Sequence, residues 1–141
     1  MLNFWGFSLV DTGVRAFQVA EIAKTNLNFN GLEIDITKRL VRKQRQEKDL
    51  TFIEFEVLYL LANNLGRVFS KEQIYDIVWK ESYSGDYNIV MSHIRNLREK
   101  IEDNPSKPIY IQTVWGVGYR FNKNLSSGLW KYSRSLLIFP F

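Results

Sequence analysis

Two capping boxes constrain the fold of this chain more than any other feature of its sequence. Thr51 stands three residues before Glu54, and Ser70 stands three residues before Gln73. In a capping box the hydroxyl accepts a hydrogen bond from an early helical N–H, and the later side chain bonds back to the capping residue. An apolar run follows each box, so the sequence predicts one helix beginning after Thr51 and another beginning after Ser70.

Apolar residues recur at helical spacing after both boxes, which predicts a buried face on each helix. The first face comprises Phe55, Leu58, Leu61 and Ala62, and the second comprises Ile74, Ile77 and Val78. The Asn-Asn-Leu-Gly stretch at residues 63–66 interrupts the first pattern and is expected to end that helix.

A third helix is predicted from Asn88 to Glu102, with Asp86 as its N-cap and Pro105 beyond its end. Its apolar stripe comprises Val90, Ile94, Leu97 and Ile101. The opposite face carries hydrogen-bonding and charged side chains, namely Ser92, Arg95, Asn96 and Glu99. The helix is therefore expected to bury a narrow face and to present polar groups on the other.

Short strands are predicted before the helices. Asn30-Gly31, a strong hairpin turn signal, separates strand candidates at residues 27–29 and 32–34. Two further candidates lie near residues 40–41 and 48–50. Together these segments favour a small antiparallel sheet.

A hairpin is predicted after the helices, with strands at residues 110–114 and 119–121 around a turn at 115–118. Three helices followed by a hairpin describe a helix-turn-helix with a wing. In such modules one helix enters the major groove of DNA, where arginine reads guanine edges and asparagine reads adenine edges. The polar face of the third helix has suitable chemistry at suitable spacing.

Composition excludes several classes of function. The 141 residues include no cysteine and a single histidine, His93, which excludes disulfide frameworks, thiolate metal sites and histidine triads. We therefore expect no metal, no cofactor and no enzymatic activity. No apolar run reaches the roughly 18 residues that a transmembrane helix needs, so we expect no membrane partner and a cytoplasmic location.

The net charge of +4 points only weakly to a polyanionic partner. Residues 27–123 carry 15 basic and 13 acidic residues, a net charge of +2, so half of the excess lies outside the segment with helix and strand signals. The prediction of nucleic-acid binding therefore depends on the positions of a few side chains, chiefly on one face of the third helix and on the wing.

Residues 27–123 resemble the winged-helix output domain of OmpR/PhoB-type response regulators, which act in bacterial two-component phosphorelay systems. The resemblance is carried, in order and at the right spacing, by residues 50–58, 66–74, 78–79, 90–102 and 111–121. It implies an α+β winged helix-turn-helix with an N-terminal four-stranded antiparallel sheet, three helices and a C-terminal β-hairpin wing. It also implies sequence-specific binding of double-stranded DNA and transcription regulation.

The resemblance assigns site residues position by position. Base-reading candidates are Asn88, Ser92, Arg95 and Asn96, and backbone-contacting candidates are Trp79, His93, Arg98, Thr113 and Tyr119. The wing tip, at Trp115 and Gly116, is expected at the minor groove. A loop that touches RNA polymerase in some members corresponds to residues 80–87, with candidates Lys80, Glu81, Tyr83, Asp86 and Tyr87. Relatives pair head-to-tail on direct repeats in promoters, which implies the same arrangement here.

Simpler interpretations stay open beside these. The polar face also fits a solvated helix face, His93 fits a position at the edge of the core, and Tyr119 fits packing within the hairpin. Trp79 is expected to be at least half buried. A basic run between residues 38 and 48 is interpreted as a solvated strand surface, with Lys38, Arg39, Arg42, Lys43, Arg45 and Lys48 as its members.

The flanking segments and one substitution motivate an alternative function. Residues 1–26 have no assigned role beyond a short helix candidate at 15–23, and residues 124–141 are expected to form a poorly ordered tail. Residues 1–26 are too few for a receiver domain, so we expect no phosphorylation control through this chain. Trp115 stands where an arginine is common. The alternative is therefore a degenerate winged helix that acts by contacting RNA polymerase or another regulator.

Overall fold

The structure, a computed structural model, describes residues 25–81, 86 and 88–125. Four strands come first, and they are β1 (Asn26–Phe29), β2 (Leu32–Asp35), β3 (Leu40–Lys43) and β4 (Gln46–Lys48). The helices are α1 (Phe52–Ala62), α2 (Lys71–Trp79) and α3 (Asn88–Ile101), and the hairpin strands are β5 (Ile111–Val114) and β6 (Gly118–Phe121). This order confirms the predicted winged helix. The helix predicted at residues 15–23 and the tail after residue 125 lie outside the described residues.

The N-terminal sheet is an antiparallel meander in the order β1-β2-β3-β4. Asn30 and Gly31 have φ angles of +49° and +94°, as the left-handed conformation of a tight hairpin turn requires. The fourth strand was predicted at residues 48–50, and that position is wrong by two residues. Gln44 and Arg45 both adopt positive φ and turn the chain directly after β3, so β4 begins at Gln46. Neither residue is a common turn former, so no local pattern indicates a turn at this position.

Both capping boxes form as predicted. The backbone N–H of Thr51 donates to Glu54 Oε1 at 3.0 Å, and the N–H of Glu54 donates back to Thr51 Oγ1 at 3.2 Å. Ser70 and Gln73 make the same reciprocal pair at the start of α2, at 3.0 and 3.1 Å. Asp86 Oδ1 accepts from the N–H of Asn88 at 2.9 Å, which caps the start of α3.

The core lies between the sheet, the three helices and the inner face of the hairpin. The predicted stripe of α3 is fully buried, and so are the predicted apolar residues of α1. One expectation is wrong: Ile77 is 47% exposed, and Tyr75 is buried in its place. Ile74, Val78 and Tyr75 span an arc of about 100° on α2, and Ile77 falls about 60° outside that arc.

The basic run of the sheet is not uniformly solvated. Lys43 is buried, because it shares the inward face of β3 with Val41. Its ammonium group forms an ion pair with Asp103 and lies 5.4 Å from the ring centre of Tyr110. The Tyr110 hydroxyl donates to the Asn30 carbonyl at 2.8 Å, and burial raises the pKa of this phenol to about 12. These contacts join the sheet to the segment that leads into the wing.

A largely buried ion pair joins α1 to α3. Lys100 Nζ lies 2.5 Å from Glu54 Oε1, and the Glu54 side chain is only 4% exposed. Burial by itself would raise the pKa of Glu54. Hydrogen bonds from Lys100 and Thr51 and the charge of Lys100 outweigh burial, so the pKa lies below its ordinary value of 4.5.

Glu54→Gln should make the free energy of unfolding depend less steeply on pH at acid pH. A carboxyl group with a lowered folded-state pKa stabilises the fold fully above its unfolded-state pKa, near 4.5. That stabilisation is lost as the pH falls through the folded-state pKa. The variant should therefore be less stable than wild type by about 1–2 kcal/mol at neutral pH, and the difference should shrink toward about pH 3. Urea denaturation of wild type and variant between neutral pH and about pH 3 measures how the free energy of unfolding of each depends on pH.

Glu56→Gln is the matched control. Glu56 pairs with Arg39 at 2.6 Å, but the two side chains are 26% and 40% exposed, so its removal should cost about 0.5 kcal/mol or less. Identical acid slopes for wild type and Glu54→Gln would contradict this role of the buried pair.

Candidate nucleic-acid interface

Residues 88–96 of α3 present the predicted reading face to solvent. Asn88, Ser92, Arg95 and Asn96 are all exposed. Ser92 Oγ donates to the Asn88 carbonyl one turn earlier, at 3.2 Å. Asn88, Ser92 and Arg95 line a cleft between α3 and the wing together with Arg98 and Tyr119. Asn96 does not line that cleft. The structure therefore brings three of the four base-reading candidates together beside the wing.

A buried carboxylate fixes the wing to the end of α3. Glu102 follows directly on the last residue of the helix and is only 7% exposed. Its two oxygens accept from the backbone N–H groups of Ile109, Tyr110 and Ile111, with shortest distances of 2.7, 3.0 and 2.9 Å. Three backbone donors, two of them in buried bonds, are thereby satisfied, and β5 starts at a fixed place relative to α3.

Arg98 makes a second tie between α3 and the wing. Its Nε and Nη2 donate to the Ile111 carbonyl at 3.2 and 2.8 Å, and Nη2 also donates to Thr113 Oγ1 at 2.8 Å. The guanidinium carbon lies 5.7 Å from the ring centre of Tyr119. Burial lowers the pKa of Arg98 and raises that of Tyr119. Most of the hydrogen-bonding capacity of Arg98 is thus used within the chain, a role that the sequence did not predict.

The return strand of the wing is held against the chain before α2. Phe69 and Tyr119 exchange two backbone hydrogen bonds, at 2.8 and 2.9 Å. Gly118 allows this close approach, because a Cβ there would lie 2.0 Å from the Phe69 carbonyl oxygen. Tyr119 is consequently 8% exposed, and its ring packs in the core cluster. The packing interpretation of Tyr119 is correct, and a phosphate contact through its hydroxyl stays a prediction.

The wing ends in an apolar, solvent-exposed tip. Trp115 is 89% exposed and Val117 is 57% exposed. The N–H of Val117 donates to the Val114 carbonyl at 2.9 Å and closes the turn, while Gly116 supplies a φ of +77°. The tip therefore projects the indole of Trp115 away from the core.

Trp79 and His93 belong to an aromatic cluster beside the reading face. Trp79 is half-buried, stacks on Tyr75 with ring centres 4.8 Å apart, and meets the His93 ring at 5.6 Å. Within the described part of the chain, His93 Nδ1 is enclosed without a hydrogen-bond partner. These positions match the half-buried and core-edge interpretations, and phosphate contacts by the two residues remain predictions.

The loop after α2 is described only in part. Lys80 ends α2 in a left-handed conformation, with φ of +58°, and is exposed. Glu81 and Asp86 are also exposed, and Glu81 accepts from the Tyr75 hydroxyl at 3.1 Å. Tyr83 and Tyr87 lie outside the described residues.

Sequence reasoning missed two residues at this surface. Met91 is 44% exposed and lines the cleft next to Ser92 and also a second cleft beneath the wing tip. Lys71, the first residue of α2, lines the second cleft, and its Nζ lies 3.9 Å from Met91 Sδ. Met91 stands four residues before Arg95, so helical spacing already placed it on the polar face. An apolar side chain on an otherwise polar helix face is the sequence signal that could have identified Met91.

Neither a metal-binding cluster nor a membrane-spanning helix is found in the described part of the chain. Its acidic and histidine side chains form no cluster of three that could hold a metal ion. None of its helices has the length and apolarity that a membrane span requires.

Known proteins resemble this chain over the same region. A family model described as the C-terminal part of transcriptional regulatory proteins matches residues 45–121, more than half of the chain. The uncharacterized transcriptional regulatory protein YcbL of Bacillus subtilis is 47% identical over 97 residues, which make up 69% of this chain and 43% of that protein. The regulatory protein VanRc of Enterococcus gallinarum is 44% identical over 94 residues, 67% of this chain and 41% of that protein. The chain thus spans about two-fifths of the length of these relatives.

Solved structures show the same fold. The response regulator DrrB of Thermotoga maritima, an OmpR/PhoB homologue, superimposes with a TM-score of 0.67 at 30% identity, over 83% of this chain and 55% of that one. The DNA-binding domain of RstA from Klebsiella pneumoniae, solved in complex with the RstA box, gives 0.65 at 28% identity, over 70% of this chain and 98% of that one.

Glu102→Gln should destabilise the chain through the wing. The glutamine keeps one acceptor oxygen but turns an amide group toward backbone donors, so we expect a loss of about 2–3 kcal/mol in the free energy of unfolding. Urea denaturation measures the loss. Glu99→Gln, an exposed change on the same helix, should stay within about 0.5 kcal/mol of wild type. Equal stabilities for the two variants would contradict the role of Glu102.

Proposed function

Because the chain belongs to the family of OmpR/PhoB-type DNA-binding domains that form the C-terminal part of transcriptional regulatory proteins, we propose that it regulates transcription by binding a specific double-stranded DNA sequence. DNA binding and transcription regulation are functions of this family. One observation of this structure supports the proposal most directly. A polar, exposed helix face lies beside a wing that a buried carboxylate and an arginine tie to the same helix. The family match favours this function over a module that acts by protein contact alone.

We propose that α3 reads bases in the major groove. That groove is about 12 Å wide and admits a helix. Arg95 suits a guanine edge, Asn88 and Asn96 suit adenine edges, and Ser92 suits either. Met91 adds an apolar group next to Ser92, which suits the methyl group of thymine. The exposure of all five side chains supports this assignment.

The contacts to the DNA backbone are assigned on chemistry and position. Thr113 is the best supported, because its oxygen accepts from Arg98 and its own proton is left to donate to a phosphate. His93, Trp79 and Tyr119 stand next to the reading face and carry N–H or O–H groups. Arg98 keeps its Nη1 group for a phosphate. The wing tip at Trp115 and Gly116 would enter the minor groove with an indole in place of a cation.

Partners beyond DNA are proposed from the family alone. They are a second copy in a head-to-tail pair on direct repeats, and RNA polymerase at the loop of residues 80–87. A cytoplasmic location accords with DNA as the partner. We assign no catalytic role, since the family is one of DNA-binding regulatory domains.

Base readers and backbone contacts should differ in how their removal affects specificity. Arg95→Ala and Asn96→Ala should weaken binding to the preferred site by about 1–3 kcal/mol and relax base preference, with a smaller effect on random DNA. His93→Ala and Tyr119→Phe should weaken binding to both sequences alike. Fluorescence anisotropy titrations on a site selected from genomic fragments measure both effects. Equal losses on both DNAs for all four variants would contradict the assignment of base readers.

Direct repeats should be filled cooperatively. If two copies pair head-to-tail, a duplex with two correctly spaced half-sites should bind the second copy more tightly than the first, by about tenfold. Inserting about five base pairs, half a helical turn, between the half-sites should abolish the gain. Electrophoretic mobility titrations separate singly and doubly occupied DNA. Independent filling of correctly spaced repeats would count against the pairing.

A further inference from the structure

A cleft on the outer side of the wing carries cations that the reading face does not include. Its polar walls are Arg98, Ser106, Gln112, Thr113 and Arg120, with prolines 105 and 108 and Trp115 completing it. Among the described residues that line it, none is acidic. The cleft therefore combines two guanidinium groups and two hydroxyl groups without a lining carboxylate.

Arg120 is held in a defined orientation at this cleft. Its Nε donates to Gln112 Oε1 at 2.9 Å, and the two residues stand opposite each other in the β5–β6 pair. The Nε group is thereby used, which leaves the two terminal nitrogens of the guanidinium to meet a partner. An arginine whose side chain is already oriented loses less conformational entropy when it binds.

Arg98 and Thr113 complete the donor set. Nε and Nη2 of Arg98 are used within the chain, so its Nη1 is the nitrogen left among the described contacts. Because Thr113 Oγ1 accepts from Arg98, its hydroxyl proton is available as a donor. Glu102 lies near enough for its charge to favour the Arg98 cation, but its oxygens already accept from three backbone N–H groups.

We propose that this cleft is a binding site for one phosphodiester of the DNA backbone, with Arg120 as its principal cation. Guanidinium groups match the geometry of phosphate oxygens, and hydroxyl donors complete such a site. Arg98 and Pro105 line both this cleft and the cleft beside the reading face, so the two surfaces are continuous. Trp115 offers apolar surface to the adjoining sugar. The proposal rests on the proposed function, because the phosphodiester belongs to the same bound duplex.

Arg120→Gln tests the site through the salt dependence of binding. Each phosphate contact that is lost lowers the slope of log K against log salt concentration by about 0.9. The variant, in the full chain, should show this lower slope and bind both the selected site and random DNA about three- to tenfold more weakly. Arg45→Gln removes the same charge from the exposed β3–β4 turn and should keep the wild-type slope. An unchanged slope for Arg120→Gln, or an equal change for Arg45→Gln, would overturn the proposal.

Neutral methylphosphonate linkages identify the phosphate itself. Placed one at a time along both strands of the selected duplex, one linkage should weaken wild type severalfold and weaken Arg120→Gln clearly less, since the principal cation at that phosphate is already absent. If the two losses simply add at every linkage, the cleft does not hold a phosphodiester. Arg95→Ala separates this failure from failure of the proposed function. If Arg95→Ala loses base preference while the Arg120→Gln and linkage effects are additive, only the proposal about the cleft is overturned. If the wild-type chain binds no duplex, the proposed function and the cleft are both overturned.

Discussion

The carboxylate of Glu102 is the contact on which the arrangement of the DNA-facing surface depends. It lies directly after α3 and accepts from three successive backbone N–H groups in the segment that becomes β5. A buried carboxylate is tolerated there because backbone donors replace the water it has lost. The end of the helix and the start of the wing are consequently parts of one hydrogen-bonded unit. The reading face and the wing tip therefore keep a fixed spacing, as their proposed entry into adjacent grooves requires.

Neighbouring charged residues extend this arrangement to the rest of the fold. Arg98 binds the wing, Lys100 binds Glu54 of α1, and Asp103 binds Lys43 of the sheet. Thus α3 is held through charged side chains near its C-terminal end, while the exposed polar face lies on residues 88–96. This division suits a recognition helix, whose N-terminal residues meet base edges while the protein body holds its other end. The buried stripe of Val90, Ile94, Leu97 and Ile101 fixes its rotation about its own axis.

Placement of charge matters more here than its total. The net charge of +4 is modest, and residues 27–123 contribute half of it. Several cationic side chains within those residues form ion pairs inside the fold, among them Lys100 and the buried Lys43. The arginines that remain near the wing stand around clefts without an acidic lining residue. The overall composition therefore says little about the charge that lines these two clefts.

The sequence by itself determined the element order, the two helix starts, the buried stripe of α3 and the Asn30-Gly31 turn. Each of these depends on residues within a few positions of one another, so capping, periodicity and turn chemistry suffice to predict them. Only the tertiary structure decided that Lys43 is buried against Asp103, 60 residues away, that Ile77 faces outward, and that Arg98 and Glu102 bind the wing. It also decided that Arg120 shares a cleft with Arg98. These facts follow from which elements pack together, and no local pattern encodes the partner of a side chain that the fold brings in from a distance.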